Sequence, residues 1–419
     1  MSDGSWIAPW SNRSTIRLIL IAEIEPFAPG TNEPCPIAEL LDFGRMSQHV
    51  LRNRDVFVHC HAVTTHAAEE VTWNRAAQLV RTENAVGSAW ATPGSDTAFY
   101  VQLVDITPHD GIPDLVAALE DMYYDELAFP DPGTPVRRIE GGRTHQMVIF
   151  SDPSEHELTE DEIQRLIYRT DMAARPGPGV IVRPTELNRR YGRGAALGPF
   201  VSVLWGQQDY VENCAFLSAI TGVTASAVMF EARSVLMREI ATIGEQRGDR
   251  LGSDATRERL DRVNRVMASL ENRIALRIDG VSTIAPYVPS LRVESFHRSL
   301  FDALDTEFNR AALQRLLERL RTLVDLEQTT LDSRVQQESE DRTMRWSLTI
   351  GLASLLAVPF TVIFGFFGAN ATQVDSSKSM FTIQYWPIFV IVGSATIGIA
   401  AMHLALHLRH RRQAHQRER

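Results

Sequence analysis

Two apolar runs near the C-terminus, Trp346 to Gly368 and Trp386 to Leu408, constrain this chain more than any other feature, because neither contains Asp, Glu, Lys or Arg. Each is longer than the roughly 20 residues that a helix needs to cross ~30 Å of hydrocarbon. A soluble core rarely needs two such runs with charged flanks, so a two-helix transmembrane hairpin is expected over 346–408, with spans at 346–368 and 386–408. Arg342 and Arg345 precede the first run and Arg409, Arg411 and Arg412 follow the second, while the loop between them holds only Asp375 and Lys378. That asymmetry places both termini in the cytoplasm. Trp346 falls at the inner boundary and Tyr385 with Trp386 at the outer one, depths that amphipathic rings favour. A plasma membrane or bacterial inner membrane is the expected location.

Charge separates the remaining chain from its end. Residues 409–419 hold five Arg and one Glu, whereas the chain as a whole carries 42 Lys and Arg against 52 Asp and Glu, a formal net charge of −10. The tail is basic and the body acidic, which argues against a nucleic-acid partner, since phosphate binding needs clustered cations. Cys35, Cys60 and Cys214 show no C-x-x-C spacing, so neither a disulfide framework nor a zinc ribbon is indicated. The opening MSDGSWIAPW lacks the basic start and apolar run of a secretory signal, as expected of a cytoplasmic N-terminal region.

A mixed α/β domain is expected over 1–212. Strands are predicted at Ile16 to Ile24, Val56 to Thr64, Ala98 to Ile106, Gln146 to Phe150, Val180 to Val182 and Val201 to Trp205, from β-branched and apolar runs between turn signals. Helices are predicted at Pro113 to Leu127 and at Glu160 to Ala174, the latter behind a capping box of Thr159 and Glu162. Residues 213–289 read as a helical hairpin, Thr224 to Arg247 and Asp254 to Ile278, separated by Gly248 and Gly252. From Ser290 to Ile350 there is no Gly or Pro, so residues 290–345 are expected to form a single stalk helix leading into the first span. At 1.5 Å per residue the 61 residues from Ser290 to Ile350 would span about 90 Å. Its apolar positions Leu304, Phe308, Ala311, Leu313, Leu316, Leu320, Leu323 and Leu331 follow the three-and-four spacing of a packed seam.

The first span is not built like a plain anchor. Steps of four and three from Ser347 give Gly351, Ser354, Val358, Thr361, Gly365 and Gly368, and all but Val358 are small or hydroxylated. Such a stripe serves either close helix packing or a wet face around a pore. The stripe ends in Pro359-Phe-Thr-Val-Ile-Phe-Gly-Phe-Phe-Gly-Ala-Asn370. This segment resembles the signature of the CorA-type divalent-cation transporters, in which Pro-x-Thr-x-x-x-Gly-x-(aromatic)-Gly-Met-Asn closes the first of two spans. Pro359, Thr361, Gly365, Phe367, Gly368 and Asn370 match position by position. The resemblance is specific over residues 344–412 and architectural elsewhere. It implies a homopentamer with Gly368, Ala369 and Asn370 as selectivity filter, and with Ser347, Ile350, Gly351, Ser354, Val358, Thr361 and Gly365 lining the path. Ile350 and Val358 would be its hydrophobic constrictions.

Three departures bear on selectivity. Ala369 stands where the family has Met, Met344 stands where magnesium-type members often place an inner Asn ring, and Lys378 offsets Asp375 in the outer loop. The transported ion, Mg²⁺, Zn²⁺, Co²⁺ or Ni²⁺, stays open. A hydrated dication, which sheds water reluctantly, suits a ring of Asn370 and Gly368 carbonyl acceptors. Two helices per chain cannot enclose a pore, so conduction needs a membrane oligomer. The second span, with Ser394 and Gly398 spaced for close packing, would lie outside the first.

Weaker signals have bland alternatives beside them. Glu338, Glu340 and Asp341 are candidate sensors of cytoplasmic metal, or simply a solvated face beside Arg342 and Arg345. His59, Cys60, His61 and His66 have ligand chemistry, but neighbours on a strand face opposite ways, so a structural strand is favoured over a metal site. His403 and His407 suit an interfacial position, and Gly192, Gly194 and Gly198 an ordinary loop rather than a phosphate cradle. No nucleophile-base pair stands out, so no enzyme and no cofactor beyond a transported or regulatory dication is expected. The competing function is a membrane-anchored sensor, enzyme or non-conducting scaffold using the hairpin as a tether.

Overall fold

The computed structural model describes residues 16–27, 33–67, 80–93, 97–108, 111–124, 136–151, 158–170, 181–245, 253–369, 383, 386–394, 397–398 and 401, with 66–67, 80–84, 253 and several positions after 351 as backbone alone. Eight strands form one sheet: β1 (Ile16–Ile24), β2 (Cys35–Pro36), β3 (His59–Ala67), β4 (Val80–Ala91), β5 (Ala98–Pro108), β6 (Thr144–Phe150), β7 (Gly194–Leu197) and β8 (Val201–Trp205). Their spatial order is β2-β3-β4-β5-β1-β6-β8-β7, and every pairing is antiparallel except β6 with β8. The helices are α1 (Ile37–Leu40), α2 (Ser47–Arg52), α3 (Ile112–Tyr124), α4 (Glu160–Tyr168), α5 (Asp209–Glu245), α6 (Ser253–Arg277), α7 (Leu291–Ala303) and α8 (Thr306–Ala369).

β1 explains the layering. Its run IRLILIAEI is apolar on both faces because both are covered, as the alternation of two-sided burial requires. Ile19 and Ile21 enter one core with α1, α2, α5 and α7, while Leu18, Leu20 and Ile24 enter the other with α3 and α4. The result is a three-layer α/β/α arrangement. Arg17 interrupts the apolar run and faces its register partner Asp105, donating from Nε to Oδ1 at 2.8 Å and from a terminal nitrogen to Oδ2 at 3.3 Å. The pair is buried, so the fork geometry offsets the desolvation of both charges.

Several predicted elements hold: β1 and β8 have the expected bounds, and β5, β6, α3 and α6 lie within a few residues of theirs. Others are corrected. The strand expected at Val56 to Thr64 begins only at His59, because Arg54–Val56 form a 3-10 turn. α4 stops at Tyr168 instead of Ala174: Arg169 turns left-handed (φ 52°), its N–H bonding back to the carbonyls of Arg165 and Leu166. The cap itself is as expected, with Glu162 N–H donating to Thr159 Oγ1 at 3.3 Å and Thr159 N–H donating to Glu162 Oε2 at 2.7 Å. Val182 makes a single bridge to Leu197 rather than a strand, and Val180 lies outside the described residues.

α5 starts fifteen residues before the predicted Thr224, because its apolar first half packs on the sheet. Among the described residues it alone is long and apolar enough to cross a membrane, yet 83% of its most apolar window is buried in the protein. It is a core helix. Gly222 lets the end of α7 approach it closely, since a Cβ there would sit 3.4 Å from Leu300 Cδ2 and 3.0 Å from Cδ1 of Leu304, the residue after the helix. The α/β body therefore does not end at residue 212; α5 and α7 share its core.

The chain divides into two units, residues 1–250 with 258–324, and residues 251–257 with 325–419. Within the first, α5, α6 and the start of α8 are joined at their flanks. Arg273 of α6 pairs with Glu231 of α5, donating to Oε1 at 2.9 Å, and Arg321 of α8 pairs with Glu271 of α6. Buried Leu260, Val263, Met267, Leu270 and Ile274 on α6, and Leu313, Leu317, Leu320 and Val324 on α8, each recur at three-and-four spacing. The expected seam is thus shifted: Phe308 is exposed and Leu317 and Val324 take the buried places.

Candidate functional site

The sequence-derived site lies on α8, so its geometry begins where α8 begins. The uninterrupted stalk expected from residue 290 is broken. Asp305 adopts a left-handed conformation (φ 50°), α7 ends at Ala303, and α8 restarts at Thr306 with the Asn309 N–H donating to the Asp305 carbonyl at 3.0 Å. A short polar side chain tolerates this region better than most, which is why a helix-friendly sequence without Gly or Pro still turns here. From Thr306 the helix is continuous to Ala369, across the charged segment and into the first apolar run.

Beyond Leu331 the described side chains of α8 are almost all exposed. Trp346 is 68% exposed, Ile350 61% and Phe364 64%. The proposed lining residues Ser347, Ser354, Thr361, Gly365 and Gly368 are exposed and Gly351 partly so, and a Cβ added at Gly365 or Gly368 would meet nothing within 4 Å. Thr361 donates its hydroxyl proton to the Ala357 carbonyl at 2.8 Å. Its oxygen lone pairs are left facing outward as acceptors. Pro359 sits inside the helix and has no N–H to give the Leu355 carbonyl, a second acceptor freed near the motif. Asn370, the loop residues Asp375 and Lys378, and His403 and His407 lie outside the described residues, as do the side chains of Val358 and Ala369. Of the second apolar run, residues 386–394 are helical, with Ser394 Oγ donating to the Ile391 carbonyl at 3.0 Å.

The three carboxylates before the first run do not converge within one chain. Glu338 and Asp341, three apart, share a face of α8, while Glu340 is about 200° round from Glu338 and accepts from Gln336 Nε2 at 3.2 Å. All three are exposed. Among the described residues no group of three His, Cys, Asp or Glu side chains is placed to hold a metal ion.

Elsewhere the weaker signals resolve into structure. Cys60 turns into the core while His59 and His61 do not; His59 Nε2 meets the Arg54 carbonyl at 3.2 Å, and the His61 ring packs edge-on against Phe27 at 5.5 Å. Cys35 and Cys60 are register partners across β2 and β3, both free, and burial pushes both thiols up, away from the reactive thiolate. Burial likewise pushes Cys214 up to about 12. Gly192 turns the chain at φ 70°, and Gly194 lies under the Trp205 indole, where a Cβ would come 2.1 Å from Cζ2. Neither builds a phosphate loop.

A feature with no local sequence signal is a basic, aromatic cluster between β6, α3 and α5. Arg143 stacks over Phe230 at 4.7 Å, and Arg169 lies 4.3 Å from the Tyr123 ring and 6.0 Å from that of Phe200. These residues are scattered along the chain, and only the sheet order brings them together. Comparison with protein-family models, with characterised proteins and with solved structures gives no match for this chain.

Proposed function

We propose that the chain is a subunit of a membrane homo-oligomer, a homopentamer, that conducts divalent metal cations along a path lined by the second half of α8. The observation that carries the proposal is the Pro359-to-Asn370 motif, which resembles that of the CorA-type transporters, at the end of a helix continuous with a charged cytoplasmic segment. The outward Ser347, Ser354 and Thr361, all exposed in a single chain, support it, since a polar stripe facing lipid would be wasted. In this account residues 386–408 form the second span, packed outside the first, and both termini are cytoplasmic. Asn370 side-chain carbonyls and Gly368 backbone carbonyls accept hydrogen bonds from the water shell of the entering ion, so the cation need not be stripped. Thr361 and Ser354 keep the path wet below them, and Ile350 and Val358 close it. In the ring, Glu338 and Asp341 of each subunit draw cations to the inner mouth and bridge to neighbours through metal.

Ala369 sets selectivity. A methyl group supports the neighbouring amide less firmly than a Met side chain, and firm geometry is what separates Mg²⁺ from more pliant dications. The pathway therefore passes Zn²⁺, Co²⁺ or Ni²⁺ as well as Mg²⁺, and Ala369→Met shifts preference back towards Mg²⁺. Native mass spectrometry in mild detergent tests the assembly. A pentamer is expected; a monomer, under conditions that keep other membrane oligomers intact, would overturn the proposal.

A further inference from the structure

The body formed by residues 1–250 and 258–324 contains a cavity of about 350 Å³ that the transport account leaves unused. That volume lies within the ~300–1,000 Å³ of ordinary small-molecule sites. Its walls come from the β6 entry, the loop before β8, the middle of α5 and the α7–α8 junction, and they include Arg143, Arg233, Phe200, Phe230, Tyr123 and Asp305.

Its charges are arranged for a ligand rather than for one another. Arg17, Arg165, Arg183, Arg273 and Arg321 all form side-chain ion pairs, whereas among the described residues neither Arg143 nor Arg233 does, although the Glu23 carboxylate lies close enough to attract Arg143. Arg143 is held in place: its guanidinium stacks on the Phe230 ring, and its backbone N–H donates to Glu23 Oε2 at 2.8 Å. Its Nε is nevertheless buried with no acceptor among the described residues. A buried N–H of a charged group without an acceptor is costly, and an incoming anion that accepts from it removes that cost. Phe200 and Phe230, each about half exposed, offer ring faces beside it. Asp305 adds one carboxylate to the lining, which repels a bare anion but accepts hydrogen bonds from hydroxyls.

We infer that this cavity binds a nucleoside phosphate, with Arg143 and Arg233 on the phosphate, the Phe200 and Phe230 rings against the base, and Asp305 on the sugar hydroxyls. The three recognition chemistries of such a ligand, anionic, aromatic and hydroxylic, meet here in one cavity. One wall is the left-handed turn at Asp305 from which α8 starts, so a bound ligand braces the origin of that helix. This inference does not depend on the transport proposal, because binding is measured directly.

The test is isothermal titration of the full-length protein in detergent with AMP, ADP and inorganic pyrophosphate. AMP or ADP is expected to bind more tightly than pyrophosphate, and Arg233→Met, at an exposed position on α5 that leaves the core intact, is expected to weaken it by about tenfold or more. Arg143→Met should weaken binding further, and Phe230→Leu should weaken the nucleotides while leaving pyrophosphate unchanged. Arg319→Met, an exposed arginine on α8 away from the cavity, should change nothing. Absence of nucleotide binding, equal affinity for pyrophosphate, or unchanged affinity in Arg233→Met would each overturn the inference. Should Arg143→Met fail to fold, Arg233→Met and Phe230→Leu decide the matter.

Discussion

Two buried histidines make the α/β body sensitive to mild acid. His145, on β6, is fully buried and meets Ser202 Oγ at 2.6 Å, and His297, on α7, is fully buried with Nε2 2.8 Å from the Val281 carbonyl. Burial lowers each imidazole from 6.5 to about 4, against the opposite pull of a backbone hydrogen bond at Pro199 for His145 and of the Val281 carbonyl and then Glu294 for His297. In the unfolded chain both titrate near their ordinary value, so below about pH 6.5 the unfolded state binds more protons. The stability they confer by staying neutral is complete above pH 6.5 and is lost as the pH falls towards 4. At pH 5 each histidine differs by about 0.9 proton between the two states, a slope of about 1.2 kcal/mol per pH unit. Relative to pH 7, each then contributes about 2 kcal/mol of destabilisation, and the pair about 4 kcal/mol, a large part of a typical folding free energy. Urea unfolding between pH 7 and 4.5, followed by the fluorescence of the buried Trp90 and Trp205, measures the slope. His145→Gln and His297→Gln should each flatten it by about 1.2 kcal/mol per pH unit near pH 5. A slope unchanged in both variants would refute the argument, because it would mean that neither group titrates differently on unfolding.

Other substitutions probe the fold at separate points. Asp105→Ala removes the fork of two hydrogen bonds from the buried Arg17 guanidinium and should cost about 1.5–3 kcal/mol, read as a lower urea midpoint with an unchanged slope. Gly194→Ala drives a methyl group into the Trp205 ring and the Asn188 amide and should cost about 1–3 kcal/mol, with a changed near-UV signal from the displaced indole. Thr159→Ala removes the capping box of α4 and should cost about 1 kcal/mol, detectable as faster amide exchange in residues 160–163 and not in β1.

What the sequence disclosed depended on how local the cause was. β1 was legible because both its faces are buried, so its apolar run is unbroken; Thr159 and Glu162 announced α4 because a cap is a contact three residues long. β4 was not, since VRTENAVGSAWA carries charge and small residues through its length and is held as a strand by β3 and β5 on either side. The break at Asp305 was hidden for a similar reason. Asp305 tolerates the left-handed turn, but a lone Asp in a helix-friendly run is a weak signal, and the close approach of Leu300 and Leu304 to Gly222, some eighty positions away, leaves no local trace. At the candidate pathway, the stripe from Ser347 to Gly368 was visible because helical periodicity alone defines it. The cluster of Arg143, Arg169, Phe200 and Phe230 was invisible, because sheet topology assembles it from positions with no common motif.

The central claim is that dications cross the membrane past Asn370, and ion flux into liposomes containing the purified protein tests it most directly. Mg²⁺ and Zn²⁺ uptake should be present in the wild-type protein and abolished by Asn370→Ala, which removes the acceptor ring while leaving α8 and the α/β body unchanged. Normal uptake by Asn370→Ala would contradict the filter assignment, and no uptake of either ion by the wild-type protein would contradict the transport function itself.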